Sequence, residues 1–291
     1  MKDEDENEGV PRYRVLVQGL APGPFLRRYT LECRRTHQIL DLVAARLTAE
    51  NVARWGILAV DESGGWGDPD APAIVGVEVL DPLQRDPDEV LLRPWGCFGS
   101  DTDARDALAL ARPGYVRWDE PEQVFCQANV SATDLRAALE AMLPLVPGPF
   151  RMVLEQTEDV ESGLRGRLHY ADHFPAGQVR EFLSRHGIWA LGDGFVGVGI
   201  VSLEPFHEVF VDAHGELLIW WGTDHLEDLD RYLRALGLPR HEEGELGFVS
   251  GLSHFHVEHE MTGPLDARIA ELARTYNFYE HVDEEPEEGE E

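Results

Sequence analysis

Lysine is almost missing from this chain of 291 residues: Lys2 is the only one, and the other 24 of its 25 basic side chains are arginine. P-loop NTPases, kinases, lysine aldolases and pyridoxal-phosphate enzymes each need an ammonium group held in a structured site. Lys2 lies in an acidic stretch too polar to pack, so those classes are excluded. Cysteine is scarce as well. Cys33, Cys97 and Cys126 stand far apart with no C-x-x-C pair, which argues against a disulfide framework or a cysteine zinc site. No apolar run approaches membrane-spanning length, and the opening MKDEDENEG is the reverse of a secretory leader. A soluble, cytoplasmic protein is expected. The chain also lacks G-x-S-x-G, and with it a hydrolase nucleophile elbow.

Acid is what the chain has in excess. Fifty-five Asp and Glu against 25 Lys and Arg give a formal charge of −30. The ends, residues 1–8 and 283–291, carry −4 and −7 of this, which leaves −19 on the body. Such a surface repels phosphate backbones and anionic lipid, so neither nucleic acid nor membrane is expected as a partner. The 43% hydrophobic content is enough for a real core.

Residues 1–10 and 282–291 read as acidic disordered tails. Between them the periodicity predicts an α+β fold with mostly antiparallel sheets. Strands are expected at Tyr13–Gln18 and Phe25–Cys33, then a helix from Thr36 with Ile39, Val43 and Leu47 on one face. Strands follow near Ile57–Val60, Ala73–Leu80 and Glu89–Arg93, then a helix over 102–111, a strand at Val124–Val130, and a helix from Ser131 with Asp134 in a capping box. The second half reads similarly: strands Phe150–Thr157 and Leu164–Ala171, a helix Pro175–His186 stopped by Gly187, and a meander Phe195–Leu203, Phe206–Ala213 and Glu216–Trp221. A helix Thr223–Leu236 ended by Gly237, a strand Gly247–Met261 and a helix Leu265–Phe278 complete it. Both halves, 11–145 and 150–281, thus spell ββα-βββ-αβα. That order suggests a tandem duplication with its boundary in Pro144-Leu-Val-Pro-Gly-Pro149.

The segment Ser253-His-Phe-His-Val-Glu-His-Glu260 places His254, His256 and Glu258 on one face of an extended strand, with spacing that suits zinc or another divalent ion. A plain polar strand face is the bland alternative. His169 and His173 are spaced for a helical pair but start in a strand. Cys97 could act as a loop nucleophile only with a histidine beside it. Gly197 and Gly199 sit inside a strand, where they let another element approach closely rather than cradle phosphate. Trp220 and Trp221 point to opposite faces, so one of them is a candidate for exposure.

No assembled catalytic set emerges and no cofactor is expected. The leading expectation is an acidic protein-binding module, possibly an immunity or inhibitor protein that blocks a basic partner such as a toxin. In such a complex carboxylates steer the encounter and aromatics anchor it. The nominated contacts are the acid-rich loop 61–72, with Asp61, Glu62, Trp66, Asp68 and Asp70, and the turn with Asp119, Glu120 and Glu122. One alternative is a metal-dependent hydrolase or small-molecule binder using His254, His256 and Glu258. The other is a structural or regulatory scaffold without catalytic activity.

Overall fold

A computed structural model describes residues 10–19, 25–34, 37–52, 55–67, 72–80, 91–93, 97–99, 111–157, 166–223, 226–251, 254–256 and 265–281. The chain opens with β1 (Val10–Gly19) and β2 (Phe25–Glu32), paired antiparallel. Next comes α1 (His37–Ala49), whose Ile39, Val43 and Leu47 are fully buried. They share one cluster with Val15, Val17, Tyr29, Leu31 and Ile57, so the helix closes one face of the sheet. β3 (Trp55–Gly67) adds to the free side of β1 and β4 (Ala73–Leu80) to the free side of β2. The short β5 (Cys97–Gly99) lies parallel to β3.

From there the chain builds a second sheet. β6 (Gly114–Asp119) and β7 (Gln123–Asn129) form a hairpin, followed by α2 (Leu135–Met142). β8 (Phe150–Gln156) and β9 (Arg167–Phe174) pair and lead into α3 (Ala176–Ala190). The meander of β10 (Val196–Leu203), β11 (Phe206–Val211) and β12 (Glu216–Gly222) precedes α4 (Leu226–Ala235). The turn between β11 and β12 uses Gly215 at φ 72°, a conformation glycine adopts without strain. β13 (His254–His256), α5 (Leu265–Tyr276) and β14 (Tyr279–Glu280) close the described chain.

Two sheets result, ordered β13-β5-β3-β1-β2-β4 and β14-β9-β8-β10-β11-β12-β7-β6. Helices α2 to α5 pack the inner face of the larger one. Their Leu139, Met142, Phe182, Leu229, Leu233 and Leu272 join Cys126, Met152, Ile200, Val209, Ile219 and Trp221 in a single core. The α+β class expected from periodicity is what the chain adopts. No described helix is long and apolar enough to cross a membrane.

The units 11–145 and 150–281 do not coincide with the sheets. β6, β7 and α2 belong to the larger sheet and its core, held by seven register pairs between β7 and β12. In return, β13 pairs with β5 of the smaller sheet. The first four elements of each half do share an order: β1-β2-α1-β3 and β8-β9-α3-β10 both place the third strand beside the first, all antiparallel. Beyond that they part, since β4 joins β2 whereas β11 joins β10.

Several local expectations are corrected. Residues 61–67 are strand, not loop: β3 continues through Asp61, Glu62 and Trp66, opposite Arg14, Tyr13 and Pro11. Pairing with β1 overrides the loop-like composition. Gly187 lies inside α3, because Leu191 N–H still bonds its carbonyl and Trp189 and Ala190 are buried beyond it. Ser131 does not cap α2. Its Oγ accepts from Leu92 N–H at 3.2 Å, and the helix starts at Leu135 with no side-chain cap bond from Asp134. Of the strand expected at 247–261, His254–His256 is strand and Val249–Gly251 is a 3-10 turn, while 252–253 and 257–261 lie outside the described residues. The helix expected over 102–111 lies outside the described residues, except for Ala111, and so do Glu89 and Val90 of the strand expected to end at Arg93.

A buried carboxylate fastens the two sheets. Glu216 has no exposure, and it accepts bonds from Gln127 Nε2 (2.6 Å), Val249 N–H (2.5 Å), Ser250 Oγ (2.9 Å) and Arg93 Nη2 (3.4 Å). Arg93 also donates to Asn129 Oδ1 and the His214 carbonyl. A buried charge persists only when paired and hydrogen-bonded in this way.

Candidate functional site

The face of the larger sheet turned away from its helices carries an aromatic row. Trp118 of β6, Phe125 of β7 and Trp220 of β12 are direct register partners. Their ring centroids stand 5.3 and 4.9 Å apart, and all three are partly exposed. The alternation that buries Trp221 in the core sends Trp220 to this side. Glu208 of β11, the register partner of Trp220, extends the row. Burial, and then the charge of Glu155, push the Glu208 carboxyl up to about 7. Glu155 is itself raised by burial and by Asp212.

The row ends at the β6–β7 turn. Asp119, Glu120, Pro121 and Glu122 are exposed there, closed by Glu120 N–H donating to the Gln123 carbonyl at 2.9 Å. Asp119 is paired with Arg117 at 2.8 Å and Arg240 at 4.0 Å. Glu120 and Glu122 form no ion pair among the described residues. Both line a groove of about 730 Å³ together with Pro121, Gln123, Pro205, Phe206, Gly222 and Thr223. Phe206 is 42% exposed and its neighbour Leu203 is 57% exposed. Glu120 accepts a hydrogen bond from Gln123 Nε2 at 3.0 Å. The arrangement offers carboxylates without an ion-pair partner among the described residues to ammonium or guanidinium groups, apolar surface to their alkyl stems, and aromatic faces for cation–π contact.

Of the residues singled out from sequence, Asp119, Glu120 and Glu122 thus sit together beside an apolar groove. Asp61, Glu62 and Trp66 lie on β3, with side chains outside the described residues, as are Asp68 and Asp70 altogether. His254 and His256 pair through their backbones with Gly99 and Cys97. Their side chains, and the whole of Glu258, also lie outside the described residues. Among the described residues no cluster of three His, Cys, Asp or Glu could hold a metal ion.

Cys97 is buried and its thiol is pushed well up by that burial, which holds it protonated and unreactive. His169 is buried in β9 while His173 is exposed at φ 61°, so the two form no facing pair. Sequence reasoning missed Trp118, Phe125, Phe206 and Glu208. Trp118 belongs to β6, a strand the periodicity did not predict. The alternation of Gln123-Val-Phe-Cys-Gln-Ala does signal a face for Phe125, but not its neighbours. Compared with family models, curated proteins and solved structures, the chain matches none.

Proposed function

We propose that the chain is an acidic cytoplasmic binding module that blocks a basic protein partner, in the manner of an immunity protein against a toxin, and that it docks through the β6–β7 turn. The observation that carries the reading is the groove in which Glu120 and Glu122 lie beside exposed Phe206 and Pro205. Long-range attraction from a −30 chain speeds encounter with a cationic surface. Phe206 and the row of Trp118, Phe125 and Trp220 then supply the anchoring area that charge alone lacks. Neutralised Asp119 contributes less than Glu120 and Glu122, which form no ion pair among the described residues.

The test is affinity capture from the cells that make the protein, using the wild type and the Glu120→Arg/Glu122→Arg pair. A stoichiometric basic partner should be retained at about 0.1 M salt and released at about 0.5 M, as screening requires. The reversed variant should lose it at both. Capture indifferent to the charge reversal would sink the proposal.

A further inference from the structure

A second concavity, of about 400 Å³, lies where the two sheets meet. Trp55 and Gly56 at the start of β3 and Arg93 form one wall. Thr133 and Arg136 at the entry to α2 form another, and Leu183, Gly187 and Ile188 of α3 face them. The volume falls in the range that holds small organic ligands. Its chemistry runs against the rest of the chain: two arginines line it and, among the described residues, no carboxylate does.

The placement of those groups is built in. Arg93 is 4% exposed and held by Asn129, the His214 carbonyl and Glu216, yet among the described residues its buried Nε–H has no hydrogen-bond partner. A buried donor left unmatched is costly unless something fills its bond. Gly56 lets the Arg93 backbone come close, since a side chain there would meet Arg93 O and N at 3.2 and 3.3 Å. Gly187 sits in the last turn of α3, where a Cβ would make only ordinary contacts at 3.8 Å. Packing does not demand that glycine. Open space beside Arg136 and Leu183 is what its missing side chain provides. Ile188, 80% exposed, stands at the rim as an apolar lip.

From these features we infer that the cavity is a binding site for a small monocarboxylate with an apolar or aromatic body. Trp55, Leu183, Ile188 and Leu191 take the body, and Arg93 and Arg136 take the carboxylate. Both arginines are already part-neutralised, Arg93 by Glu216 and Arg136 by Glu140 at 2.7 Å. With each arginine set against one carboxylate the site is close to neutral, which suits a monoanion rather than a phosphate dianion, and the acidic chain would also repel the dianion more strongly.

The experiment uses 4-(trifluoromethyl)benzoate as probe, read by its ¹⁹F signal, against the full chain. Saturable binding is expected, weaker by about tenfold for the neutral 4-(trifluoromethyl)benzamide and for Arg136→Glu. Gly187→Leu, which fills the cavity, should abolish it. Arg136 is exposed, so its variant carries the test even if the glycine variant fails to fold. Absence of saturable binding, equal affinity for acid and amide, or benzoate affinity unchanged in Arg136→Glu overturns the assignment.

Discussion

Glu216 and Glu208 are two carboxylates in similar strands with opposite fates. Glu216 is met by donors from β7, the 91–93 segment and the turn at Val249–Gly251. Glu216→Ala strands the Arg93 guanidinium in the interior and should cost about 3–5 kcal/mol, measured from urea midpoints. The paired change Arg93→Met/Glu216→Leu should recover most of that loss, because the interior then holds no charge. Glu208 has no such partners among the described residues, and burial together with the charge of Glu155 raises it to about 7. A carboxyl raised on folding stabilises most while protonated. Its contribution is therefore complete below its ordinary range near 4.5 and fades as pH rises through about 7. Melting temperatures recorded from pH 4 to pH 9 should show Glu208→Gln gaining on the wild type above pH 7 and not at pH 4. Neither role is legible in the sequence. Glu216 opens an unremarkable strand, and every side chain that satisfies it comes from a segment far away in the chain.

At the scale of elements the glycines of β10 are the most telling. A Cβ on Gly197 would run into the Phe210 ring and meet Glu155 Oε2 at 2.9 Å, both side-chain atoms. On Gly199 it would meet the Val209 carbonyl at 2.6 Å and the Phe210 Cα at 2.9 Å, which are backbone. Each alanine variant should lose about 1–3 kcal/mol in denaturant melts, with Gly199→Ala the worse. Adding Phe210→Leu should relieve Gly197→Ala more than Gly199→Ala, which loses its contact with Phe210 Cδ2 but keeps those with backbone. Close approach over these glycines is readable from their spacing: beside Gly199 it is the backbone of the neighbouring strand, together with Phe210, and over Gly197 it is side chains alone. Helices α1 and α4 were legible because one stripe of Ile39, Val43 and Leu47, or of Leu229 and Leu233, carries each of them. β6, β14 and the far end of β3 were not. β14 and the far end of β3 owe their strand character to pairing with segments distant in sequence, and β6 owes its own to the β7 hairpin rather than to a clear alternation of its own residues.

The whole molecule is laced together across its midpoint. Strands from the first half complete the larger sheet, and β13 from the second half borders β5 in the smaller one. A cut in Pro144–Pro149 would therefore leave neither piece with a finished sheet. The 150–281 fragment alone should lack a cooperative thermal transition, and mixing it with the 1–147 fragment should restore one. The overall α+β class, the antiparallel meander and the acidic balance could all be read beforehand. The lacing could not, since two halves with a matching element order give no sign of which strands cross over.

That crossing also sets an order of events during synthesis. β5 leaves the ribosome well before β13 exists, and β7 waits for β12 across the whole β8–β11 stretch. Contacts between segments so remote in sequence form late and slowly. Nascent chains will accordingly spend most of translation with open strand edges at β5 and β7, the condition under which chaperones are recruited and aggregation competes. In that interval the surplus of negative charge has a use unrelated to any partner: it keeps unfinished chains apart.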